Sequence, residues 1–260
     1  MKIRNTIFYT ALIATALFLL ASCSKNEKGT SRLQVSLTDA PGDYDALYID
    51  VQDIKINTTS DSSSGWSSLE NVRHGTYNLL DLVNGKDTLL ADATIPSGRI
   101  QQIRLILGSE NYVKINGQML KLTTPSAQQS GLKLNIHQDV SAGIVYQLLL
   151  DFDVAKSVVE SNNGKYILKP TIRTIMQAIG GSIRGTVAPD SLQTAVLAIQ
   201  GADTVASTYT SNGSYLIRGL NAGTYDLHFL PSESSVSKQV KAGIIVNTGV
   251  VTTVDTLHFN

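Results

Sequence analysis

The sequence lacks the side chains from which most catalytic and metal sites are built. It contains one cysteine, one tryptophan and four histidines in 260 residues. A single cysteine excludes a disulfide within the chain. His74, His137, His228 and His258 lie too far apart along the chain for any zinc-binding spacing. No Gly-x-Ser-x-Gly turn and no phosphate-binding glycine loop occurs either. These absences predict a protein that is not an enzyme.

An excess of charge of one sign is also missing. The chain has 21 basic and 21 acidic residues. Residues 1–22 contain Lys2 and Arg4 but no acidic residue, so the remainder carries a net charge of −2. Nucleic acids and anionic membrane surfaces attract proteins with a basic excess. The charge balance therefore predicts no nucleic-acid partner.

The beginning of the chain has the layout of a secretory signal. Lys2 and Arg4 precede an uncharged, mostly apolar run from Ile7 to Leu20. The run is short for a membrane span, and no basic stop-transfer segment follows it. Polar residues 24–31 then form a segment suited to a flexible tether.

The run ends in Leu20-Ala21-Ser22-Cys23, which resembles the bacterial lipobox. That resemblance implies cleavage before Cys23 and attachment of lipid to its thiol, with residues 1–22 as signal peptide and 23–31 as lipidated tether. Several acyl chains are enough for stable anchoring in a membrane. Because Ser24 follows Cys23 where an inner-membrane retention signal has Asp, we expect an outer-membrane lipoprotein of the cell envelope. The sequence leaves two alternatives for the side of the outer membrane on which the protein lies, periplasmic or cell-surface.

Apolar residues alternate with polar ones along most of the chain, which predicts an all-β fold. Leu33, Val35 and Leu37 share one face of a strand, and the alternation changes phase between Val51 and Ile54, which predicts a β-bulge. Asn116-Gly117 predicts a tight hairpin turn. The segments 144–153 and 166–176 are each predicted to be one long strand. For 78–85, a helical turn and a short strand remain alternatives.

The pattern of apolar segments changes near Gly180-Gly181. Seven short apolar runs follow, each bounded by turn residues, and about seven strands in eighty residues is the spacing of a β-sandwich. We therefore predict two β-sandwich domains in tandem, covering residues 32–178 and 181–260, behind the signal and the tether.

Residues 32–176 resemble the family called domain of unknown function 4382. The resemblance rests on six motifs in order: Thr38-Asp39-Ala40-Pro41-Gly42-Asp43, Leu79-Leu80-Asp81-Leu82, Ile95-Pro96-Ser97-Gly98, Pro125-Ser126 with Ser130-Gly131-Leu132-Lys133, Leu150-Asp151-Phe152-Asp153-Val154, and Leu168-Lys169-Pro170. It implies an envelope-associated, sandwich-like β domain without an established chemistry.

Residues 181–260 resemble the carboxypeptidase regulatory-like, or transthyretin-like, β-sandwich. The pattern consists of Gly181-x-Ile183-x-Gly185-x-Val187, Ser211-Asn212-Gly213-x-Tyr215 and Gly219-Leu220-x-x-Gly223-Thr224-Tyr225. We expect Tyr215 and Tyr225 to fill the space between the sheets with their hydroxyls at the rim. The module is often grouped with starch-binding-like sandwiches, so the resemblance implies carbohydrate binding as one role.

Acidic residues form the first candidate site. Asp39, Asp43 and Asp45 lie in a Pro-Gly turn after the first strand, whereas Asp151 and Asp153 share one face at the end of another strand. If the two strand ends are neighbours, the carboxylates gather at one edge. They then cap turns, bind Ca²⁺ through six to eight oxygens, or form a glycosidase pair.

Exposed aromatic residues form the second candidate site. Trp66, Tyr112 and Tyr209 are candidates for stacking on sugar rings, and two or three coplanar aromatics on one sheet face would favour that role. The sequence therefore predicts a non-catalytic envelope lipoprotein with a structural or binding role, whose partner is an envelope protein or a glycan. Carbohydrate binding through the C-terminal sandwich is the alternative.

Overall fold

The computed structural model describes residues 29–40, 42–61, 63–124, 131–161 and 164–259. Within these ranges the chain is almost entirely β-strand, which confirms the predicted all-β class. No helix in the described ranges is long and apolar enough to cross a membrane. The predicted signal peptide, Cys23 and the Pro125-Ser126 motif lie outside the described residues.

The first part of the chain contains thirteen strands and two short helices. The strands are β1 Thr30–Ala40, β2 Ala46–Asn57, β3 Trp66–Ser68, β4 Gly75–Asn78, β5 Thr88–Pro96, β6 Gly98–Leu107, β7 Tyr112–Ile115, β8 Gln118–Thr123, β9 Leu132–Val140, β10 Val145–Asp153, β11 Val158–Glu160, β12 Tyr166–Leu168 and β13 Ile172–Ile179. A 3-10 helix covers Leu79–Leu82, and helix α1 covers Val154–Ser157. The last two residues of the predicted tether, 30 and 31, are already part of β1.

These strands form two sheets. One is four-stranded in the order β13-β10-β1-β5, and the other is nine-stranded in the order β11-β12-β8-β7-β2-β6-β9, with β3 and β4 also paired to β2. The predicted alternation along β1 is confirmed, since Leu33, Val35 and Leu37 are fully buried. Together with buried side chains from the second sheet, such as Ile54 and Leu105, they form one hydrophobic cluster. The core therefore lies between the two sheets.

The predicted irregularity in β2 is a bulge. The pairing of β2 with β6 shifts register between Val51 and Asp53. Both Val51 and Ile54 are fully buried, although they are three residues apart. The extra residue turns the strand so that both apolar stretches face the core. Before the bulge the even-numbered residues of β2 face outward, and after it the odd-numbered residues do.

The prediction of one long strand over 166–176 is wrong. Strand β12 pairs with β8 in the nine-stranded sheet, and β13 pairs with β10 in the four-stranded sheet. Pro170 lies between them and has no N–H to donate to a ladder. The chain therefore crosses from one sheet to the other at this proline.

The open alternative over 78–85 is decided in favour of a helical turn. Residues Leu79–Leu82 form a 3-10 helix. The side chain of Asn78 accepts a hydrogen bond from the backbone N–H of Leu80 and caps that helix. The same side chain accepts one from the backbone N–H of Leu47. Asn78 thereby ties the helical turn to β2.

The second part of the chain contains eight strands. They are β14 Gly181–Ala188, β15 Thr194–Gln200, β16 Asp203–Tyr209, β17 Ser214–Leu220, β18 Gly223–Pro231, β19 Gln239–Val246, β20 Val251–Thr253 and β21 Leu257–His258. One sheet has the order β17-β14-β20 with β21 also paired to β14, and the other has the order β16-β15-β18-β19. Between them lies a second hydrophobic cluster, which includes Val196, Leu227 and Phe229.

The two clusters share no buried residue, but the two parts of the chain touch. Gly180, with a φ of 66°, separates β13 from β14. The hydroxyl of Ser182 donates a buried 2.6 Å hydrogen bond to the carbonyl of Gly143. The partly buried Val251 packs against the first cluster. A short polar and apolar junction thus connects the two sandwiches.

The prediction for the two core tyrosines is half right. Tyr225 is 2% exposed, and its hydroxyl donates a 2.9 Å hydrogen bond to the carbonyl of Asn221 at the edge of the sandwich. Tyr215 is 4% exposed, but its hydroxyl is buried and has no hydrogen-bond partner in the described structure. It lies against Gly185 of the paired strand, where an added Cβ would be 2.4 Å from the hydroxyl oxygen. The Tyr215 hydroxyl is therefore in the interior and not at the rim.

Candidate functional site

The strand ends that carry the acidic candidates are neighbours, as the cluster hypothesis requires. Strands β1 and β10 pair in parallel, and Asp39 lies opposite Phe152. Residues paired in this way share a face of the sheet, and Phe152 is fully buried. Asp39 is accordingly on the core-facing side and only 6% exposed. Its Oδ1 accepts a 3.2 Å hydrogen bond from the backbone N–H of Val154.

Asp151 and Asp153 are on the opposite face of the same sheet. Asp151 forms a 2.5 Å ion pair with Arg173 of the adjacent strand. Asp153 accepts hydrogen bonds from the backbone N–H and the ammonium group of Lys156, at 3.1 and 2.6 Å. The hydrogen bond from the Lys156 side chain lowers the pKa of Asp153. Both carboxylates are thus engaged by cations.

The remaining acidic candidates do not join them. Asp45 Oδ2 accepts a 2.7 Å hydrogen bond from the N–H of Gly117 and so holds the β7–β8 hairpin, whose turn residues Asn116 and Gly117 have φ values of 49° and 80°. Asp43 is exposed. Nowhere in the described ranges do three His, Cys, Asp or Glu side chains converge into a group that could hold a metal ion. Four of the five candidates act as caps or ion-pair partners here.

The aromatic candidates fall on two different sheets. Trp66 and Tyr112 are partly exposed on the outward face of the nine-stranded sheet, whereas Tyr209 is 67% exposed on β16 of the second sandwich. Tyr112 lies opposite Tyr48 of β2. Tyr48 escaped the sequence reasoning, although its position between buried Leu47 and Ile49 indicated an outward side chain. Along β2, about 30 Å of strand separates the two tyrosines from Trp66 at about 3.3 Å per residue.

A structured loop positions Trp66. The side chain of Asn57, at the end of β2, is 1% exposed and donates hydrogen bonds to the carbonyls of Asp61 and Ser64 at 2.8 and 2.9 Å. Its Oδ1 accepts hydrogen bonds from the N–H and the hydroxyl of Thr59. Gly65 then has a φ of 74°, and an added Cβ would lie 2.6 Å from the Thr59 hydroxyl. The turn therefore requires glycine immediately before the tryptophan.

The same loop has a second organising side chain. Asp61 accepts hydrogen bonds from the N–H and hydroxyl of Ser63 and from the hydroxyl of Ser64, at 2.8, 2.6 and 2.6 Å. These hydrogen bonds lower the pKa of Asp61 to about 2. The serines of this segment thus stabilise the turn through hydrogen bonds to Asp61. The turn allows β3, which carries Trp66, to pair with β2.

Trp66 contacts a cation two strands away. The guanidinium carbon of Arg104 lies 3.9 Å from the centroid of the Trp66 ring, and Arg104 Nε is buried. This geometry is that of a cation–π contact. Cross-strand pairing places Trp66, Asn57, Gln102 and Asn135 in one row across β3-β2-β6-β9, and Gln102 donates a 2.8 Å hydrogen bond to Asn135. The hydrogen-bonded amides of Gln102 and Asn135 thus lie in the same row as the indole, two and three strands away.

The next row on that face is cationic. Ser68, Lys55, Arg104 and Lys133 lie side by side across the same four strands. Sequence reasoning missed this row because its members are up to 78 positions apart, and only the strand register brings them together. No local sequence signal could have found it.

The tyrosine end of the face is a closed polar network. The hydroxyl of Tyr112 hydrogen-bonds Glu110, which also pairs with Lys121 at 3.1 Å. The Tyr112 hydrogen bond, followed by that of Lys121, lowers the pKa of Glu110 to about 2. The ammonium group of Lys121 also lies 5.6 Å from the centroid of the Tyr112 ring. Glu110 and Lys121 at this end therefore neutralise each other.

This chain belongs to the family described as domain of unknown function (DUF4382), whose model matches residues 30–170. No curated protein matches the sequence.

Among solved structures, the chain is similar to the Bacillus anthracis TIE protein, with a TM-score of 0.23 and 11% identity over 89% of this chain and 34% of that one. It is also similar to GBS52, the minor pilin of Streptococcus agalactiae, with a TM-score of 0.23 and 12% identity over 87% of this chain and 94% of that one. A third similar structure is a streptococcal ancillary pilin, with a TM-score of 0.20 and 12% identity over 91% of this chain and 64% of that one. This chain thus spans about a third of the length of the TIE protein. Likenesses this weak carry no argument about function.

Proposed function

We propose that this DUF4382 protein is a non-catalytic lipoprotein of the bacterial cell envelope, anchored in the outer membrane through Cys23. The observation that supports the anchor is the tetrapeptide Leu20-Ala21-Ser22-Cys23 after a basic start and an apolar run. Acyl chains on Cys23 contribute about 0.8 kcal/mol per buried methylene, so more than one chain holds the protein stably.

The non-catalytic part of the proposal is supported by the state of the acidic residues. Asp151 and Asp153 are the pair that a glycosidase would need, but each is bonded to a cation, Arg173 and Lys156 respectively. A general acid requires a raised pKa, whereas the pKa of Asp153 is lowered. The described residues form broad sheet faces, which suit a binding or structural role.

The experiment that tests the anchor replaces Cys23 by alanine and compares this variant with Ser24→Ala. We expect wild-type protein and Ser24→Ala to enter the detergent phase and to sediment with outer membranes. Cys23→Ala should remain uncut or be recovered in the aqueous phase. A Cys23→Ala variant that partitions like wild type would overturn the proposal.

A second candidate role is carbohydrate binding, for which the exposed ring of Tyr209 is the supporting observation, with Trp66 as a separate aromatic surface on the other sandwich. Tyr209 is 67% exposed on the outward face of the β16-β15-β18-β19 sheet, and Trp66 is partly exposed on the nine-stranded sheet. We further propose that residues 181–260 are a carboxypeptidase regulatory-like sandwich, a module that is often grouped with starch-binding-like sandwiches. A glycan array with wild type, Tyr209→Ala and Trp66→Ala tests the role. Absence of any glycan signal in the wild type would refute it.

A further inference from the structure

The outward face of the β16-β15-β18-β19 sheet concentrates exposed apolar side chains. Val196, Leu227 and Phe229 of its two central strands point into the core of the second sandwich, so the residues that alternate with them point outward. Nine large hydrophobic side chains are exposed in the described ranges, and five of them lie on this face: Val205, Tyr209, Leu230, Val240 and Ile245. Apolar residues gathered in this way mark a contact surface, whereas singly scattered ones do not.

The strand register makes this apolar face continuous. Tyr209 lies opposite Ala195, which lies opposite Leu230. The next outward row across the four strands consists of Ser207, Leu197, His228 and Val240. Along the centre of the face, Ala195, Leu197 and Ile199 are half-buried between the exposed side chains. The face therefore has no polar break along its middle strand.

The apolar face is almost uncharged. Asp226 is its one acidic residue among the described outward positions, and it accepts a 2.9 Å hydrogen bond from the N–H of Gly243. Lys241 of β19 turns to the other sheet, where its ammonium group donates to the carbonyl of Asp255. A face of this kind has little to offer phosphate groups or acidic glycans. Aliphatic side chains with a tyrosine among them suit the boundary between lipid headgroups and acyl chains.

The start of β1 shows where the lipid anchor is attached. The carbonyl of Thr30 accepts a 2.7 Å hydrogen bond from the N–H of Gly143, and the carbonyl of Gly143 accepts one from the hydroxyl of Ser182. The described chain therefore begins beside the junction of the two sandwiches. From Cys23 to Gly29 a fully extended chain covers about 20 Å, so the anchored membrane surface lies within that distance of the junction.

The apolar face begins at the same junction. A Cβ added to Gly181 would lie 2.7 Å from Cγ1 of Val246, the residue after Ile245. From Thr224, which lies opposite Ile245, to Leu230 strand β18 covers about 20 Å. Packed sheets are about 10 Å apart, so the reach of the tether is about twice the sheet spacing of the sandwich. The anchor and the apolar face can therefore meet one membrane surface together.

We propose that the outward face of the β16-β15-β18-β19 sheet rests on the lipid surface in which Cys23 is anchored. The contact rests on the proposed anchor and adds an orientation to it, with the second sandwich lying on the membrane. The face measures about 400 Å² in plan, whereas each partner of a stable dimer buries about 800 Å². That area is small for a soluble dimer, but it is enough to orient a protein that an anchor already holds at the membrane.

The test places one reporter thiol on each side of the second sandwich. Cys23 is the only cysteine of the chain, and in the proposed mature protein its thiol carries lipid, so an introduced cysteine is the only thiol that reacts. Ser207→Cys lies on the apolar face, and the matched control Ser214→Cys is exposed on the outward face of the β17-β14-β20 sheet. Each mature lipoprotein is labelled with a fluorophore and reconstituted into phosphatidylcholine vesicles.

Two quenchers then report where each label lies. We expect phosphatidylcholine with brominated acyl chains to quench the label of Ser207→Cys, and aqueous iodide to quench that of Ser214→Cys. Iodide quenching of Ser207→Cys as strong as that of the control, in protein that floats with the vesicles, would overturn the proposal and leave the anchor intact. Shielding of Ser207→Cys from both quenchers would give the face to a protein partner, such as a second copy, and would also overturn it.

The unsubstituted protein tests the premise separately. If Cys23 carries lipid, this protein takes up no label. Labelling at Cys23 would show a free thiol, so the proposed anchor would fail and the membrane contact with it. Binding of a neutral glycan to Tyr209 of the vesicle-bound protein would give the face to carbohydrate instead of lipid.

Polar variants locate the contact. Leu230→Thr with Val240→Thr should shift the equilibrium between the covered and the iodide-accessible Ser207→Cys label at least about tenfold towards accessibility, because two apolar side chains lose their favourable transfer from water. Threonine favours strands, so the sandwich should keep its fold, which calorimetry checks. The control Met119→Thr with Val159→Thr changes two exposed apolar residues of the first sandwich and should leave the label covered. An equal shift in the control pair, or none in the face pair, would contradict the proposal.

Discussion

For the two core tyrosines of the second sandwich, the same substitution by phenylalanine is expected to change stability in opposite directions. Tyr215 and Tyr225 are both almost fully buried in one hydrophobic cluster. The hydroxyl of Tyr225 has a partner, the carbonyl of Asn221, whereas the hydroxyl of Tyr215 has none among the described residues. Tyr→Phe removes only the hydroxyl, so the two variants differ in the fate of that one group.

The magnitudes follow from the cost of a buried polar group. A buried hydroxyl without a partner costs about 1–3 kcal/mol, and a satisfied hydrogen bond contributes about 0.5–1.5 kcal/mol. The ring of Tyr215 packs edge-on against Phe229 at 5.6 Å between centroids, and phenylalanine keeps that contact. We therefore expect Tyr215→Phe to stabilise the sandwich by about 1 kcal/mol and Tyr225→Phe to destabilise it by about 1 kcal/mol.

The pH dependence gives the prediction a second readout. Burial raises the pKa of Tyr215 from 10.0 to about 12. Tyr215 then ionises at lower pH in the unfolded chain than in the folded one, so its ionisation leaves stability unchanged below pH 10 and lowers it as pH rises from about 10 towards about 12. Phenylalanine cannot ionise. The advantage of Tyr215→Phe should therefore grow in that alkaline window.

Differential scanning calorimetry measures both effects. For a sandwich of this size, 1 kcal/mol shifts the melting temperature by about 4–8 °C. We expect Tyr215→Phe to melt above wild type, Tyr225→Phe below it, and the gap between wild type and Tyr215→Phe to widen above pH 10. A Tyr215→Phe variant that melts below wild type would show that the hydroxyl has a partner and would refute the reasoning.

Three further predictions concern the sandwiches and their edges. Residues 181–260 expressed alone should fold cooperatively, because their core is a separate cluster, and poorly dispersed amide spectra would contradict this. Gly65→Ala should lower stability by about 1–3 kcal/mol and change tryptophan fluorescence, since a Cβ there lies 2.6 Å from Thr59; an unchanged spectrum would speak against the loop geometry. Asp151→Asn should cost at most about 1 kcal/mol, because its partner Arg173 is largely exposed. Calorimetry of the wild type should give the same melting temperature in EDTA and in millimolar calcium, and a calcium-dependent shift that Asp151→Asn abolishes would restore the metal hypothesis.

Much of the fold could be predicted because strand periodicity is local. Every second residue of a strand faces the same side. A buried face was therefore predictable from the alternation of Leu33, Val35 and Leu37. The bulge was predictable from the change in alternation after Val51. The turn at Asn116 was equally local. Each of these features depends on residues within a few positions of one another.

The sheet crossing at Pro170 shows where local reasoning fails. The apolar pattern of 166–176 continues through the proline, and periodicity alone therefore reads one strand. What divides it is the partner of each half, β8 for one and β10 for the other. The same holds for Lys55, Arg104 and Lys133, because charge at single positions says nothing until the register is known.

The acidic cluster lies between these two cases. The hypothesis that two strand ends meet was right, since β1 and β10 pair from Arg32 and Val145 up to Ala40 and Asp153. The alternation that predicted the buried face of β1 also places Asp39 on it, in step with Leu33, Val35 and Leu37. Asp151 and Asp153 are out of step with buried Phe152, so they face the other way. A bound cation needs its oxygens on one side of the sheet, and parity divides these carboxylates between two sides. The residues that resemble a calcium site in sequence are therefore separated by the same period-two geometry that defines the strands.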